Sequence, residues 1–77
     1  MSRLVGRSVA VVCSRDGSPA LVGGVAILHV HESFREWIGA LEGRGEVDVW
    51  RVETHRGFVE LHFDRAAKTW TLAREED

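Results

Sequence analysis

The sequence predicts a small α+β domain in which a bent or partly closed antiparallel sheet, in the order β-β-β-α-β-β-β, packs on one helix. Three observations carry that expectation. Residues 47–72, VDVWRVETHRGFVELHFDRAAKTWTL, read as three strands joined by two tight turns, and they hold two of the three tryptophans. Short aliphatic runs on either side of Gly23-Gly24 read as strands of the first half. Between the halves, Ser33 and Glu36 make a capping-box pattern ahead of apolar residues at i, i+3, i+4 and i+7.

A chain of 77 residues, 44% of them hydrophobic, suits one domain spanning residues 1–77. A domain of this size buries only about 60–65% of the surface its unfolded chain exposes, so its core is small and a second subunit is a common source of added stability. The single Cys13 excludes an internal disulfide, and its place in the apolar run Val9 to Cys13 predicts a buried small hydrophobe. The opening MSRLVGRS lacks the pattern of a secretory signal, and the apolar run 20–28 is broken by glycines and far too short to cross a bilayer. A soluble cytoplasmic protein with no membrane contact is expected. The formal net charge is -2, with Arg3, Arg7 and Arg15 near the start and an acidic stretch from Glu32 to Asp48. No basic stripe dominates, which disfavours nucleic-acid binding through bulk charge and leaves only a local patch.

In chain order, Val9 to Cys13 is apolar at successive positions and predicts a strand covered on both faces, as a central strand or at a subunit contact. The turn formers Ser14-Arg15-Asp16-Gly17-Ser18-Pro19 end it. Residues 20–22 and 25–30 flank a two-residue glycine turn. The predicted helix then starts at Ser33, presents Phe34, Trp37, Ile38 and Leu41 as one stripe, and stops at Gly43 and Gly45. His31 belongs to the approach to that helix.

The final meander allows a register argument. Pairing Thr54 with Val59 sets Val52 against Leu61 and Trp50 against Phe63, and leaves Arg51, Glu53, Glu60 and His62 on the opposite face. The turn is then Arg56-Gly57, or His55 to Phe58 as a longer loop. Pairing Phe63 with Trp70 leaves a loop of Arg65-Ala66-Ala67-Lys68, with Asp64 placed to accept loop amides, and sets Leu61 against Leu72. Trp50, Phe63 and Trp70 thereby form an aromatic core against the helix stripe, and the tail Glu75-Glu76-Asp77 is expected to fray.

The candidate site is the polar face of this meander with its tip: Arg51, Glu53, His55, Arg56, Phe58, Glu60 and His62. Phe58 beside His55 and Arg56 is the most suggestive residue, because exposed aromatics with arginine are enriched at binding hot spots and also stack on single-stranded bases. His29 and His31 on one strand, and His62 with Glu60 and Glu53, raise a weaker metal-binding reading without any specific ligand spacing. No catalytic motif or phosphate-cradling loop is present, so no enzyme activity, catalytic residue or cofactor is expected.

The run Trp50-Arg51-Val52-Glu53, followed by Gly57, Leu61, Asp64, Trp70 and Leu72, resembles the uncharacterised family called domain of unknown function 6504. The likeness extends back through Gly17-Ser18-Pro19, the Gly23-Gly24 turn and Trp37, and so covers most of the chain. It implies a small stand-alone protein or C-terminal module linked with inactive relatives of Y-family polymerases in mutagenic DNA repair, with no assigned catalytic residues. This chain departs from that pattern at Leu21 and Val25, where aromatics would be expected. The functional expectation is a non-enzymatic interaction module, an accessory of DNA repair or replication machinery that binds a protein partner through a strand edge or the 55–58 tip. The alternatives are direct nucleic-acid binding through Arg51, Arg56 and Phe58 with the N-terminal arginines, and a homodimer through the apolar runs at residues 9–13 and 47–49.

Overall fold

The structure is a computed structural model and describes residues 2–37 and 45–76. Its elements are β1 (Ser2–Ser8), β2 (Val11–Cys13), β3 (Pro19–Val22), β4 (Val25–Ala26), β5 (His29–Trp37), β6 (Glu46–Thr54), β7 (Gly57–Asp64) and β8 (Thr69–Glu76). They form two antiparallel sheets, a five-stranded one in the order β1-β8-β7-β6-β5 and a three-stranded one in the order β2-β3-β4. Among the described residues there is no helix, so the fold is all-β and the α+β expectation is overturned.

The predicted helix fails at its first turn. Ser33, Phe34, Glu36 and Trp37 belong to β5, where they pair with Trp50, Val49, Val47 and Glu46. A capping box is a local gain of about 1 kcal/mol. It is outweighed here by an antiparallel ladder against β6, in which β5 is an edge strand paired along one side from His29 to Trp37 apart from a shift at His31. The rest of the predicted stripe, Ile38 and Leu41 with the stop at Gly43, lies outside the described residues.

The Gly23-Gly24 turn is where the sequence places it. Both glycines have positive φ, 55° and 81°, and they join β3 to β4 through the pairs Val22 with Val25 and Leu21 with Ala26. The predicted turn before Pro19 also forms, closed by Asp16. Cys13, expected to be buried, is exposed on β2. Strand β1 has no counterpart in the sequence reading; it pairs with β8, and so Glu75 and Glu76 are held in the sheet rather than frayed.

The β7–β8 hairpin follows the expected register, with Phe63 opposite Trp70 and Leu61 opposite Leu72, and Asp64 Oδ1 accepts the Ala66 and Ala67 amides at 3.0 and 3.1 Å. The β6–β7 hairpin does not. Thr54 faces Gly57, so Val52 faces Val59 and Trp50 faces Leu61, and the loop is His55-Arg56. The turn chemistry decides this. Thr54 Oγ1 accepts the Arg56 amide at 3.1 Å and donates to the Gly57 carbonyl at 3.3 Å, and Gly57 takes a φ of 123°.

The core joins the two sheets. Val22 of β3 meets Val52, Leu61 and Leu72 of the large sheet, with Val9, Val11, Ile27 and Trp50 packed around them. It is therefore an aliphatic core with Trp50 and Trp70 at its margin, where Phe63 and Trp70 pack at 4.9 Å between centroids. The chain is tied to the large sheet on both sides of the small one: the Val9 amide donates to the Trp70 carbonyl and the Leu28 amide to the Glu53 carbonyl. Val47 and Val49 are also buried, on the opposite face of β6 from Val52.

Leu61 is fully buried, so Leu61→Ala is expected to cost about 2–5 kcal/mol in urea unfolding. Glu36→Ala, which would remove a capping partner from a helix, is expected to change stability by less than about 0.5 kcal/mol because Glu36 is an exposed strand residue. A loss near that of Leu61→Ala would restore the helix.

Candidate functional site

Moving the β6–β7 register by two residues keeps each residue on its expected face but changes its neighbours. Arg51 now lies opposite Glu60, and Glu53 opposite Phe58, which removes the like-charge pair of Glu53 and Glu60 that the predicted register implies. The strand pairing brings β5 alongside β6 and β8 alongside β7 on this same face.

The result is a continuous ladder. Arg51 Nη1 donates to Glu32 Oε2 at 2.8 Å and Arg51 Nε to Glu60 Oε1 at 3.0 Å, while His62 Nε2 lies 2.7 Å from Glu60 Oε2. The Arg51 guanidinium also sits 5.3 Å from the centre of the Phe34 ring. A second pair, His31 Nε2 to Glu53 Oε1 at 2.8 Å, lies beside it. His31 packs edge-on against His29 at 4.5 Å and in a tilted arrangement against Phe58 at 5.1 Å. Phe58 stands in β7 between Glu53 and Glu76 and is 46% exposed. His31, Glu32, Arg51, Phe58 and Glu60 border an open groove of about 510 Å³ that Arg74 and Glu76 of β8 also line.

Of the expected site residues, Arg51, Glu53, Phe58, Glu60 and His62 are brought together on one face. His55 and Arg56 form the exposed loop beyond it. His31, Glu32, Arg74 and Glu76 are additional. His31 and Glu32 were hidden by the helix assignment, and the residues of β8 by treating the C-terminus as frayed. One signal could have found the register: it is the alignment that puts Arg51 opposite Glu60.

Electrostatics follow from these contacts. Burial penalises the Glu60 carboxylate and is the largest single effect on it, but hydrogen bonds from His62 and Arg51 together outweigh that penalty and hold its pKa below the ordinary 4.5. Arg51, hydrogen-bonded by Glu60 and then Glu32, is raised further above its ordinary range and stays charged. Away from this face, hydrogen bonds from Ser14 and then Ser18 lower the exposed Asp16 to about 2.

Among the described residues, no group of three or more His, Cys, Asp or Glu side chains is arranged to hold a metal ion, and His31 and His62 each bind a single glutamate instead. No helix among them is long and apolar enough to cross a membrane. Comparison with known protein families, curated proteins and solved structures gives no match.

The depressed Glu60 contributes stability above its unfolded pKa of about 4.5, and that contribution is lost as pH falls through the lower folded value. Thermal melts from neutral pH downward are therefore expected to show a drop below about pH 4.5 that is shallower in Glu60→Gln. Parallel acid limbs in the two proteins would remove the ladder as its source.

Proposed function

We propose that the protein is a non-enzymatic interaction module that engages a protein partner through the groove face and the tip at Phe58. The observation that carries this reading is Phe58 itself, an aromatic ring exposed at the rim of an open groove whose polar side chains are largely engaged with one another. A surface of this kind offers an amphipathic anchor rather than a poised acid, base or nucleophile. A role as an accessory of repair or replication machinery draws its support from the likeness of the Trp50 to Leu72 pattern to domain of unknown function 6504. Affinity capture with the full chain is expected to recover a partner that Phe58→Ala loses. Recovery of the same partner by the variant would sink the tip as the contact.

The direct nucleic-acid reading loses one of its three residues, because Arg51 is held between Glu32 and Glu60. Its remaining support at the hairpin is Phe58, which is exposed, and Arg56, which forms no ion pair among the described residues, while Arg7 of the N-terminal arginines lies 4.0 Å from Glu75. Titration with single- and double-stranded DNA at low salt is expected to give no binding.

A homodimer is favoured by a different observation. Val12, Leu21 and Ala26 form one row across the small sheet on the face away from the core, and Val12 and Leu21 are 57% and 36% exposed. The three strands of that sheet contain no charged residue, the composition of an interface centre. Light scattering is expected to give a dimer that dissociates in Leu21→Glu. A monomer at all concentrations would retire the dimer.

A further inference from the structure

Strand β2 is an open edge of the small sheet, which runs β2-β3-β4, and β2 pairs with β3 alone. The hydrogen bonds that flank it fix the direction of its backbone groups. The Gly23 amide donates to the Ala10 carbonyl and the Ser14 amide to the Ser18 carbonyl, each at 2.8 Å. Backbone polar groups alternate in direction along a strand, so Ala10, Val12 and Ser14 turn theirs toward β3 while Val11 and Cys13 turn theirs away. No strand among the described residues receives those outward groups.

The edges of the large sheet carry the devices that keep strands apart. β5 bears His29, Glu32, Arg35 and Glu36 and breaks register at His31, and β1 bears Arg7 and shifts register between Leu4 and Arg7. β2 has no such protection. It is Val11-Val12-Cys13, without charge or proline, and the irregularity in its pairing falls on β3, where Ala20 is the extra residue.

This edge is complementary to itself. A two-fold axis through Val12, perpendicular to the sheet, sets Val11 opposite Cys13 of a second copy and Cys13 opposite Val11. These are the residues whose groups point outward, so each pair exchanges both of its backbone hydrogen bonds. Val12 then meets its own counterpart in a non-hydrogen-bonded pair, where side chains approach most closely, and its side chain is 57% exposed in the single chain. The outer row of Val12, Leu21 and Ala26 continues into the same row of the second copy, with no charge opposed to charge.

We infer that β2 pairs antiparallel with β2 of a second copy about Val12, joining the two three-stranded sheets into one. The inference rests on the homodimer reading and names how the copies join, edge to edge rather than face to face. Leu21 lies beside Val12 in the outer row, so Leu21→Glu sets a carboxylate next to the contact. A strand of three residues buries little area, so the dimer is weak and forms with rising concentration.

The test is amide hydrogen exchange by NMR on the full chain across a dilution series, with light scattering on the same samples. In the concentrated samples the Val11 and Cys13 amides are expected to exchange about tenfold more slowly, or slower still, than in the dilute ones. Cys13→Pro removes an outward N–H at an exposed edge position and leaves the bonds to β3 in place. It is expected to weaken the dimer by about tenfold or more, whereas Cys13→Ser keeps it. A dimer whose Val11 and Cys13 amides exchange as in the monomer, or one that Cys13→Pro leaves intact, would overturn the edge pairing and leave the homodimer standing, packed through its outer faces. A monomer at every concentration would overturn both. Slow exchange at every dilution in a protein that scatters as a monomer would overturn the edge pairing too, because those amides would be covered within one chain.

Discussion

The pairing of β6 with β7 is the constraint on which the rest of the molecule depends, and two residues set it. Thr54 closes the turn with its hydroxyl, and Gly57 takes a φ that a side chain would strain. With that turn in place, Val52 meets Val59 and Trp50 meets Leu61 on one face, while Arg51 meets Glu60 on the other. Leu61 is thereby delivered to the small sheet and Glu60 to the ladder. One turn thus sets both the core and the candidate site. Sliding the hairpin by two residues would preserve every face, but would put Trp50 opposite Phe63 and Glu53 opposite Glu60.

This explains how the polar face was legible while its wiring was not. Alternation along 50–63 specifies which side chains share a face, because a slip of one residue would bury charge. It says nothing about a slip of two. The discriminating information lay in Thr54, Gly57 and the complementarity of Arg51 with Glu60, none of which is a hydrophobic pattern. The β7–β8 pairing of Phe63 with Trp70 and Leu61 with Leu72 was legible because its turn carries its own signal, an aspartate that accepts two successive amides. The glycine pair at 23–24 was legible for a similar reason, the need for positive φ at both positions.

The elements that escaped are those whose partners are distant in sequence. Strand β1 is stabilised by β8, at the other end of the chain, and nothing within Ser2–Ser8 announces it. Gly6, with a φ of 68°, lies where the β1–β8 register shifts, so the residue that most weakens a strand reading marks the bulge. Strand β5 escaped for the opposite reason: Ser33 and Glu36 imitate a helix start, and the ladder with β6 overrides them. The loss of that helix changed the site as well as the fold, because β5 brings His31 and Glu32 to a face that otherwise had only the meander's own residues.

The small sheet gives the chain two different kinds of surface. Its inner side contributes Val22 to the shared core, and its outer side exposes Val12 and Leu21 without a charge among them. Antiparallel sheets with one face in water ordinarily alternate apolar and polar residues, and this one does not. The large sheet behaves in the opposite way, since its exposed face is densely charged yet most of that charge is neutralised within the ladder. Phe58 stands where the groove on the charged face and the cleft between the sheets come together. A partner reaching that point meets an aromatic ring and a hollow whose lining mixes Val22, Val25 and Leu72 with Arg7, Arg56, Glu75 and Glu76, and the neutralised ladder on the other face supplies shape and little net field.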